Sequence, residues 1–335
     1  MVRTRHLIIA LILSCMALGA ISAQTPITLQ IGAAVPANSP WDLGLRKLAA
    51  EWSRISGGKV RIAFPRSMAN ASQDDMLQKL RFTLDGALLD TTGLHMLDSN
   101  VLLLSMPSII RDDKEFDAAA GVALELLRKS AGERYEFLAM AQGGWIHFFA
   151  NKPLRTPEDF LAMRIGVNQN QELLVGQLQA MGMRTVKADT STILLQFNSN
   201  ALDVVYTSPL YIGTLWSQFK RSVSSMSSFK VAPFFGAIVI NKRSWERVPE
   251  NLRPALLEAT ERIVKEIARD SRILEDDAIA SMMSDGLIVP GMNLEQRKAW
   301  EGLFSGPQVS SFLRESFSPL WYDAVFKAVE AVRGY

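Results

Sequence analysis

The chain has 335 residues, 48% of them hydrophobic and 21% charged, and its formal net charge at pH 7 is only +2. This length suggests two domains, and scattered basic residues with a near balance of charge do not favour nucleic acid as a partner. One cysteine and three histidines exclude a disulfide framework and a histidine-rich metal cage, so we predict neither a metal nor a cofactor.

The first 23 residues have the pattern of a secretory signal peptide. Two arginines precede an apolar run over residues 7–20, and the small residues before Gln24 predict cleavage after Ala23. The apolar run is too short to span a bilayer, which takes about 20 residues. Lipidation at Cys15 is the alternative, although few apolar residues precede that cysteine. Both alternatives place the mature chain outside the cytoplasmic membrane, in the periplasm.

Strand-like and helical patterns alternate through the first half of the mature chain. The helical patterns start at capping residues and end at glycines. The predicted order is strand "ITLQIGAAV", helix "WDLGLRKLAAEWSRISGG", strand "KVRIAFP", helix "SQDDMLQKLRFTLDG", strand "ALLDTTGL", the apolar segment "NVLLLSMPSII" and helix "KEFDAAAGVALELLRKSAG". This alternation predicts an α/β fold with a mainly parallel sheet covered on both faces.

A second α/β pattern begins at "YEFLAMAQGGWIHFFAN" and joins the first around residues 145–151. Strands "MRIGV", "ALDVVYT" and "FGAIVIN" alternate there with helices near 169–182 and 190–200. A long helical pattern follows and ends at Gly286; about 32 residues at 1.5 Å each give a helix of roughly 48 Å. Because the 3.5-residue period of a coiled coil is not kept, we predict one helix that spans two lobes.

Motifs for catalysis are weak in this sequence. The segment "LLDTTG" (88–93) resembles the Asp-Thr-Gly signature of aspartic proteases, but it carries an extra threonine and has no second copy. His147 lies in an alternating strand, which favours a hydrogen-bonded polar residue over a base. The sequence has no Gly-x-Ser-x-Gly motif and no phosphate-binding glycine loop. We therefore predict that the protein is not an enzyme.

Five segments in a fixed order give the chain a family resemblance. They are "ITLQIGAAVPANSPW…GGKVRIAFP", "SMPSIIRDDKEF", "NKPLRTPEDFLAMRIGV", "LLQFNSNALDVVYTSPL" and "GAIVINKRSWERVPENLRPALLEA". Over essentially the whole mature chain, this order resembles the DctP-type solute-binding subunits of tripartite ATP-independent periplasmic (TRAP) transporters. The resemblance implies a two-lobed periplasmic binding protein fold of the α/β class, with a long helix crossing both lobes and a ligand closed between them.

The binding residues implied by the resemblance depart from the family pattern. The family arginine that pairs with a ligand carboxylate aligns with Gly166, and Arg164 lies two residues earlier on the same face of the strand. A second position that carries arginine in some relatives is Trp145. The segment "DVVYTSP" places Val205, Tyr206 and Thr207 where the family has amide and acid side chains.

These changes remove charge or add apolar surface, so a carboxylate would lie there unpaired. We therefore predict an apolar or amphipathic ligand, in a cleft with walls formed by Trp41, Trp145, Tyr206 and Thr207. Gly166 would leave open the volume of the missing arginine. Two alternatives stay open, namely an ordinary organic acid held by Arg164 and an interaction module without a ligand.

Domain boundaries and partners follow from the same resemblance. After the signal peptide (1–23), lobe I is predicted to comprise 27–147 with 234–272, and lobe II 148–233 with 273–335. The resemblance implies a small-molecule ligand and the membrane permease subunits of a TRAP transporter as partners. By analogy alone, a helical-repeat (TPR-type) periplasmic protein is a further candidate partner.

Overall fold

The computed structural model describes residues 25–168, 171–189 and 192–334. The predicted signal segment, with cleavage after Ala23 and the alternative lipid site Cys15, lies outside the described residues. Within the described ranges, no helix is both long and apolar enough to cross a membrane.

Nine strands of the described chain form a single mixed sheet. They are β1 (Ile27–Gly32), β2 (Val60–Ala63), β3 (Gly86–Asp90), β4 (Tyr135–Ala150), β5 (Arg164–Val167), β6 (Arg184–Lys187), β7 (Val204–Thr207), β8 (Ser225–Met226) and β9 (Ala232–Asn241). Across the sheet their order is β2-β1-β3-β9-β4-β7-β5-β6, and β8 pairs with β4.

The centre of the sheet is antiparallel, so the prediction of a mainly parallel sheet is wrong there. At the flanks, β1 pairs in parallel with β2 and β3, and β5 with β6 and β7. β9 runs antiparallel to β3 and β4, and β4 runs antiparallel to β7 and β8. The reason is that β9 returns from the second half of the chain, so it joins β3 and β4 without the helical crossover that a parallel neighbour requires.

Fourteen α-helices in the described part of the chain surround the sheet. They are α1 (Pro40–Ile55), α2 (Gln73–Phe82), α3 (Thr91–His95), α4 (Asp113–Ala131), α5 (Pro157–Leu161), α6 (Glu172–Ala180), α7 (Ile193–Asn198), α8 (Pro209–Thr214), α9 (Trp216–Phe219), α10 (Lys242–Glu246), α11 (Arg253–Ser284), α12 (Leu294–Ser305), α13 (Pro307–Ser316) and α14 (Pro319–Arg333). Short 3₁₀ helices cover Arg66–Met68, Ser99–Ser105 and Glu250–Leu252. The segment "NVLLLSMPSII", predicted to be buried, thus begins as a 3₁₀ helix.

The long helix predicted from the sequence is α11, a helix of 32 residues. It packs against α1, β4 and α8, which come from both halves of the chain. Helix α1 begins at its cap Ser39, whose hydroxyl accepts a hydrogen bond from the backbone N–H of Asp42. Its buried face, Trp41, Leu45, Leu48 and Trp52, follows helical spacing and forms a core with α11.

Strand β4 connects the two halves of the molecule. It has 16 residues; its first part pairs with β9, and its last residues pair with β7 and β8. Two register shifts interrupt the β4–β9 ladder, at Phe137/Ala139 and at Gln142/Gly144. The second is a bulge at which Gly144 takes a φ of +131°, a backbone conformation that favours glycine.

The hydrophobic core is divided into three clusters of buried side chains. One lies between α1, the sheet and α11, and another packs α7, α8 and α9 against β4 and β7. The largest joins residues of β3, α4, β5, α6 and the C-terminal helices, and α14 packs against α4. The C-terminal end of predicted lobe II therefore contacts predicted lobe I, and the lobe boundaries stay a prediction.

Candidate functional site

Two adjoining cavities lie beside β7, the strand that carries the predicted site residues Tyr206 and Thr207. The larger has a volume of about 510 Å³ and lies between α3, the 3₁₀ helix Ser99–Ser105, the start of α6 and the central strands. Its lining is mostly apolar, with polar groups from α3 and from the start of α6. The lining residues are Thr91, Thr92, His95, Leu102, Ser105, Met106, Ile146, Gln171, Glu172, Leu173, Leu174, Tyr206, Pro233 and Phe234.

The smaller cavity, of about 230 Å³, lies beyond the ends of β5 and β7. Its lining carries more polar side chains, and it shares Gln171 and Tyr206 with the larger cavity. The other lining residues are Gly166, Val167, Asn168, Ala188, Asp189, Ile193, Thr207 and Tyr211. The two cavities therefore meet at the side chains of Gln171 and Tyr206.

Tyr206 contacts both halves of the molecule. Its phenol donates a hydrogen bond to the carbonyl of Ser105 at 3.3 Å, and its ring lies 5.9 Å from that of Phe148. Burial raises the pKa of the phenol well above its ordinary range, so Tyr206 acts as a neutral donor. A second buried contact lies nearby, where the Gln177 amide donates to the carbonyl of Pro107 at 3.1 Å. Both donors hold the segment around Met106.

Gly166 lies in the wall of the smaller cavity, but the space beside it is not open. A Cβ atom at Gly166 would lie 3.0 Å from the Cβ of Ala188 and 3.0 Å from Cδ2 of Leu202. The sequence predicted that the glycine leaves open the volume of an arginine. That prediction is wrong for the first side-chain atom, the Cβ, which has no free space here. β5 packs so closely on Ala188 and Leu202 that only glycine is accommodated without movement.

Arg164 lies outside both cavity linings. Its Nε donates to Asp203 Oδ2 at 2.8 Å, and its Nη2 donates to Asp203 Oδ1 at 3.0 Å and to the carbonyl of Asn200 at 2.7 Å. This bidentate pair raises the pKa of Arg164 and holds the pKa of Asp203 well below its ordinary range. The guanidinium is thus committed to Asp203 at the edge of the sheet.

Neither predicted tryptophan is among the described lining residues of these two cavities; Ile146, Pro233 and Phe234 are among those that line the larger one. Trp145 is only 1% exposed, and its indole N–H donates to Asp113 Oδ1 at 3.2 Å. Trp41 is buried in the α1 face against α11. The reason is the alternation of β4: Ile146 faces the larger cavity, and its neighbours Trp145 and His147 face away.

Behind β4, a buried carboxylate of α11 contacts the strand. Glu275 accepts the backbone N–H of Trp145 at 2.9 Å from Oε2, and its Oε1 lies 3.9 Å from His147 Nε2. Burial raises the pKa of Glu275 to about 7 and lowers that of His147 to about 4. His147 Nδ1 lies 3.0 Å from the carbonyl of Ser227, which only accepts, so Nδ1 carries a hydrogen. His147 is thus the buried, hydrogen-bonded residue that the sequence predicted.

The "LLDTTG" segment begins a helix. Asp90 accepts hydrogen bonds from the backbone N–H groups of Thr92 and Gly93 at 2.8 and 3.1 Å, and so caps α3. Burial raises the pKa of Asp90. The side chains of Thr91 and Thr92 line the larger cavity.

The electrostatic character of the cleft is acidic to neutral. Among the described residues, neither lining contains a lysine or an arginine, whereas Glu172 and Asp189 border the cavities. The residues of the two gaps in the described chain are also uncharged in sequence: Gln169, Asn170, Thr190 and Ser191. Within the described ranges, no group of three or more His, Cys, Asp or Glu is arranged to hold a metal ion.

Comparison with known proteins identifies the family. The pattern of the DctP family, "Bacterial extracellular solute-binding protein, family 7", matches residues 31–306. The chain belongs to this family. The resemblance seen in the sequence is thereby confirmed, and the family consists of periplasmic solute-binding proteins of transport systems rather than enzymes.

Individual members of the DctP family share low sequence identity with this chain. The C4-dicarboxylate-binding periplasmic protein DctP of Rhodobacter capsulatus is 22% identical over 297 residues, which are 85% of this chain and 86% of that protein. A TRAP periplasmic solute-binding protein from Ochrobactrum anthropi has a TM-score of 0.80 at 16% identity, covering 92% of this chain and 96% of that chain. One from Sulfurospirillum deleyianum, with bound succinate, has a TM-score of 0.68 at 19% identity and covers 92% and 100%.

These similarities show that the chain has the two-lobed fold of the solute-binding proteins, with its long helix. Such proteins bind small molecules and work with membrane permease subunits. Of the predicted site residues, Gly166, Tyr206 and Thr207 come together at the smaller cavity. Most residues of the larger cavity were not predicted, although the apolar run before Pro107 was a signal for one of its walls, which includes Leu102 and Met106.

Proposed function

We propose that this protein is the extracytoplasmic solute-binding subunit of a TRAP-type transporter and that its ligand is apolar or amphipathic. One observation carries the proposal: among the described residues, the linings of the two cavities hold no lysine and no arginine. A relative of the same fold binds succinate, a dianion. A carboxylate desolvated in this cleft would lack the paired cation that offsets a cost of several kcal/mol.

The apolar wall of the larger cavity supports the same proposal. Side chains from both halves of the chain contribute to it, among them Leu102, Ile146 and Leu173. The ring of Phe234 is 42% exposed beside them, which is unusual for a phenylalanine at the end of a buried strand. Burying such surface contributes about 25 cal/mol per Å², so an apolar ligand gains affinity here without any charge pairing.

The two alternatives have less support. An organic acid held by Arg164 would require that arginine to leave both Asp203 and the carbonyl of Asn200, and its side chain lies outside the cavity linings. An interaction module without a ligand gives no reason for two adjoining cavities of this size.

Titration calorimetry with defined probes tests the proposal. Decanol and the dianion succinate are titrated into the full mature chain at low salt and at 0.5 M salt. We expect decanol to bind with a negative heat-capacity change and little dependence on salt, and succinate to give no saturable heat. Tight, salt-sensitive binding of succinate that is lost in Arg164→Ala would instead support the organic-acid alternative.

The partners and the export signal belong to the same proposal. A TRAP permease would recognise the ligand-closed form, and cleavage after Ala23 would release the chain into the periplasm. The helical-repeat partner stays a prediction by analogy. Pull-down of the tagged full chain from its own membranes tests the permease, and recovery of no transporter subunit would count against it.

A further inference from the structure

We propose that the two cavities divide one ligand into two parts. An uncharged head that bears hydroxyl groups occupies the smaller cavity, and a hydrocarbon tail occupies the larger one. This inference rests on the proposed function and deepens it, because it assigns a chemical class to the ligand and a position to each part of it.

The smaller cavity has the groups that recognise a hydroxyl-bearing head. The Gln171 amide and the Thr207 hydroxyl contribute both donors and acceptors to its lining. A hydroxyl group is itself a donor and an acceptor, so it can pair with either kind of neighbour. A carboxylate only accepts, so it would use only the donors of these two side chains.

The charges at the border of the site exclude an anionic head. Asp189 of the smaller cavity and Glu172 of the larger one are the carboxylates in the described linings; His95 lies in the larger cavity, and neither lining holds a lysine or an arginine. The N-terminal turn of α6, whose backbone N–H groups would otherwise attract an anion, already carries Glu172. A carboxylate head would therefore meet like charges and no cation.

The same two acids do not require a cationic head. The Asp189 side chain accepts the backbone N–H of Thr192 at 3.1 Å and the Thr192 hydroxyl at 3.2 Å, at the start of α7. Glu172 is exposed to solvent, where water screens its charge, and it lies in the favourable first turn of α6. Since both carboxylates are stabilised without a ligand, an uncharged head is the best match.

The larger cavity accepts the tail because its walls are apolar and its volume is larger. Leu102, Met106 and Ile146 lie on one side of it, and Leu173 and Leu174 of α6 on the other. Tyr206 and Gln171 stand where the cavities meet, so a ligand that fills both must pass these two residues. We infer that they mark the junction between head and tail.

Three probes with the same ten-carbon tail and different heads distinguish the contribution of the head to the affinity from that of the tail. They are 1-decanoylglycerol, decanoate and decylammonium. Each is titrated into the full mature chain below its micelle concentration, with succinate as a fourth probe. We expect decanoylglycerol to bind at least tenfold more tightly than either charged probe. Equal or tighter binding of decanoate or of decylammonium would overturn the assignment of the head.

A cation placed in the smaller cavity should reverse this preference. Thr207→Lys introduces an ammonium beside the head, and we expect decanoate to become the tightest of the three probes. Thr214→Lys is the matched control, because it changes the net charge by the same amount as Thr207→Lys. Thr214 is exposed and lies outside both linings. Its order of affinities should equal that of the wild type. An unchanged order in folded Thr207→Lys would contradict the inference.

A second variant tests the same inference in case Thr207→Lys does not fold. Gln171 is exposed and lies at the junction, so Gln171→Lys should fold and should also raise the affinity for decanoate relative to decanoylglycerol. If no ten-carbon probe binds while succinate does, the proposed function itself fails. If the probes bind but the head makes no difference, this inference fails and the apolar ligand stands.

Discussion

At the scale of single residues, Gly166 has a structural role that its position in the family alignment does not reveal. The sequence predicted it at the position of a carboxylate-binding arginine, and in the structure its missing side chain lets β5 lie close to Ala188 and Leu202. This tight packing is a reason for glycine at position 166 that does not depend on any ligand.

We predict that Gly166→Ala lowers the free energy of unfolding by about 1–3 kcal/mol, because a methyl group 3.0 Å from the Ala188 Cβ overpacks the site. Gly121→Ala is the control. Gly121 lies in helix α4, and a Cβ atom added there would have no other atom within 4 Å. That change should be neutral or stabilising. Urea denaturation measures both, and a stabilised Gly166→Ala would contradict the packing described here.

Gly166→Arg should be destabilised further and should bind decanol more weakly, since a charged side chain would have to cross the same contact to reach the smaller cavity. Calorimetry and thermal unfolding of the variant measure the two effects. A variant of wild-type stability with unchanged affinity for decanol would show that residue 166 does not border the ligand.

We predict that Arg164→Ala leaves the affinity for decanol within about twofold of the wild type. The reason is that Arg164 lies outside both cavity linings, so its side chain does not contact the ligand. Its guanidinium pairs with Asp203 and Asn200 outside the cavities. Calorimetry on the variant provides the measurement. A tenfold loss of affinity would mean that the arginine reaches the ligand in the closed state.

The sequence predicted residue types at the site better than it predicted their direction. Tyr206, Thr207 and Gly166 were found through the family alignment, and all three line the smaller cavity. Trp145 was named by the same reasoning but is buried on the opposite face from Ile146. Period-two alternation separates the two faces of β4, but only the packing of α11 and α4 decides which face meets the ligand.

At the scale of elements, the Glu275 carboxylate attaches α11 to β4 by accepting the backbone N–H of Trp145, and His147 Nε2 lies 3.9 Å from Glu275 Oε1. Asp113 of α4, Lys230 before β9 and Asp276 of α11 are the other charges that act on the pair. His147 Nδ1 already donates to Ser227, so its Nε2 is an acceptor when the ring is neutral. Nε2 and Glu275 Oε1 are 3.9 Å apart, beyond hydrogen-bond distance, so the pKa of each group is shifted mainly by its own burial.

This pair predicts opposite pH dependences for two variants. In His147→Gln, the raised pKa of Glu275 (about 7 against 4.5) means that the folded state binds more protons, so stability falls as pH rises from about 4.5 to 7. In Glu275→Gln, the lowered pKa of His147 (about 4 against 6.5) means that the unfolded state binds more protons, so stability rises from about pH 4 to 6.5.

Each variant should change by about 3 kcal/mol over its range, at 1.36 kcal/mol for each pKa unit. In the wild type the two trends oppose one another, and we expect a nearly flat profile between about pH 4.5 and 6.5. Urea denaturation across this range measures all three proteins. Parallel profiles for the two variants would contradict the opposite effects of burial on the pKa of Glu275 and the pKa of His147.

Elements with strong local signals were predicted well, and those defined by distant contacts were not. The apolar periodicity of α11, the proline in its first turn and Gly286 just beyond its end all lie within one segment, so the sequence predicts this helix well. The helices predicted at 169–182 and 190–200 are shorter, as Glu172–Ala180 and Ile193–Asn198. The antiparallel centre depends on the return of β9 across the molecule, which no local pattern encodes.

At the scale of the whole molecule, two side-chain hydrogen bonds join the second half of the chain to the segment around Met106. Tyr206 donates to Ser105, and Gln177 donates to Pro107. Both bonds cross between the predicted lobes, and Met106 itself lines the larger cavity. We therefore expect them to stabilise the closed, ligand-bound form more than the open one.

Tyr206→Phe should accordingly increase the rate of decanol release by about three- to tenfold, since one buried hydrogen bond contributes about 0.5–1.5 kcal/mol. Tyr322→Phe, in the C-terminal helix α14, is the control and should leave the rate unchanged. Stopped-flow measurements give the rates, and small-angle scattering gives the radius of gyration with and without decanol. Identical release rates for the two variants would show that the Tyr206 bond does not hold the closed form.

Helix α11 and, apart from its bulge at Gly144, strand β4 run through both halves of the molecule as continuous elements, and this continuity affects how the cleft can move. A loop hinge changes shape by rotating a few backbone torsions and stores little energy. A strand in the middle of a sheet and a helix of 32 residues can only twist and bend, and each small deformation is spread along their length. Such a connection resists bending elastically. Opening the cleft would then meet a restoring force that grows with the angle, and the mechanical work of opening would have to come from the transporter that draws the ligand out.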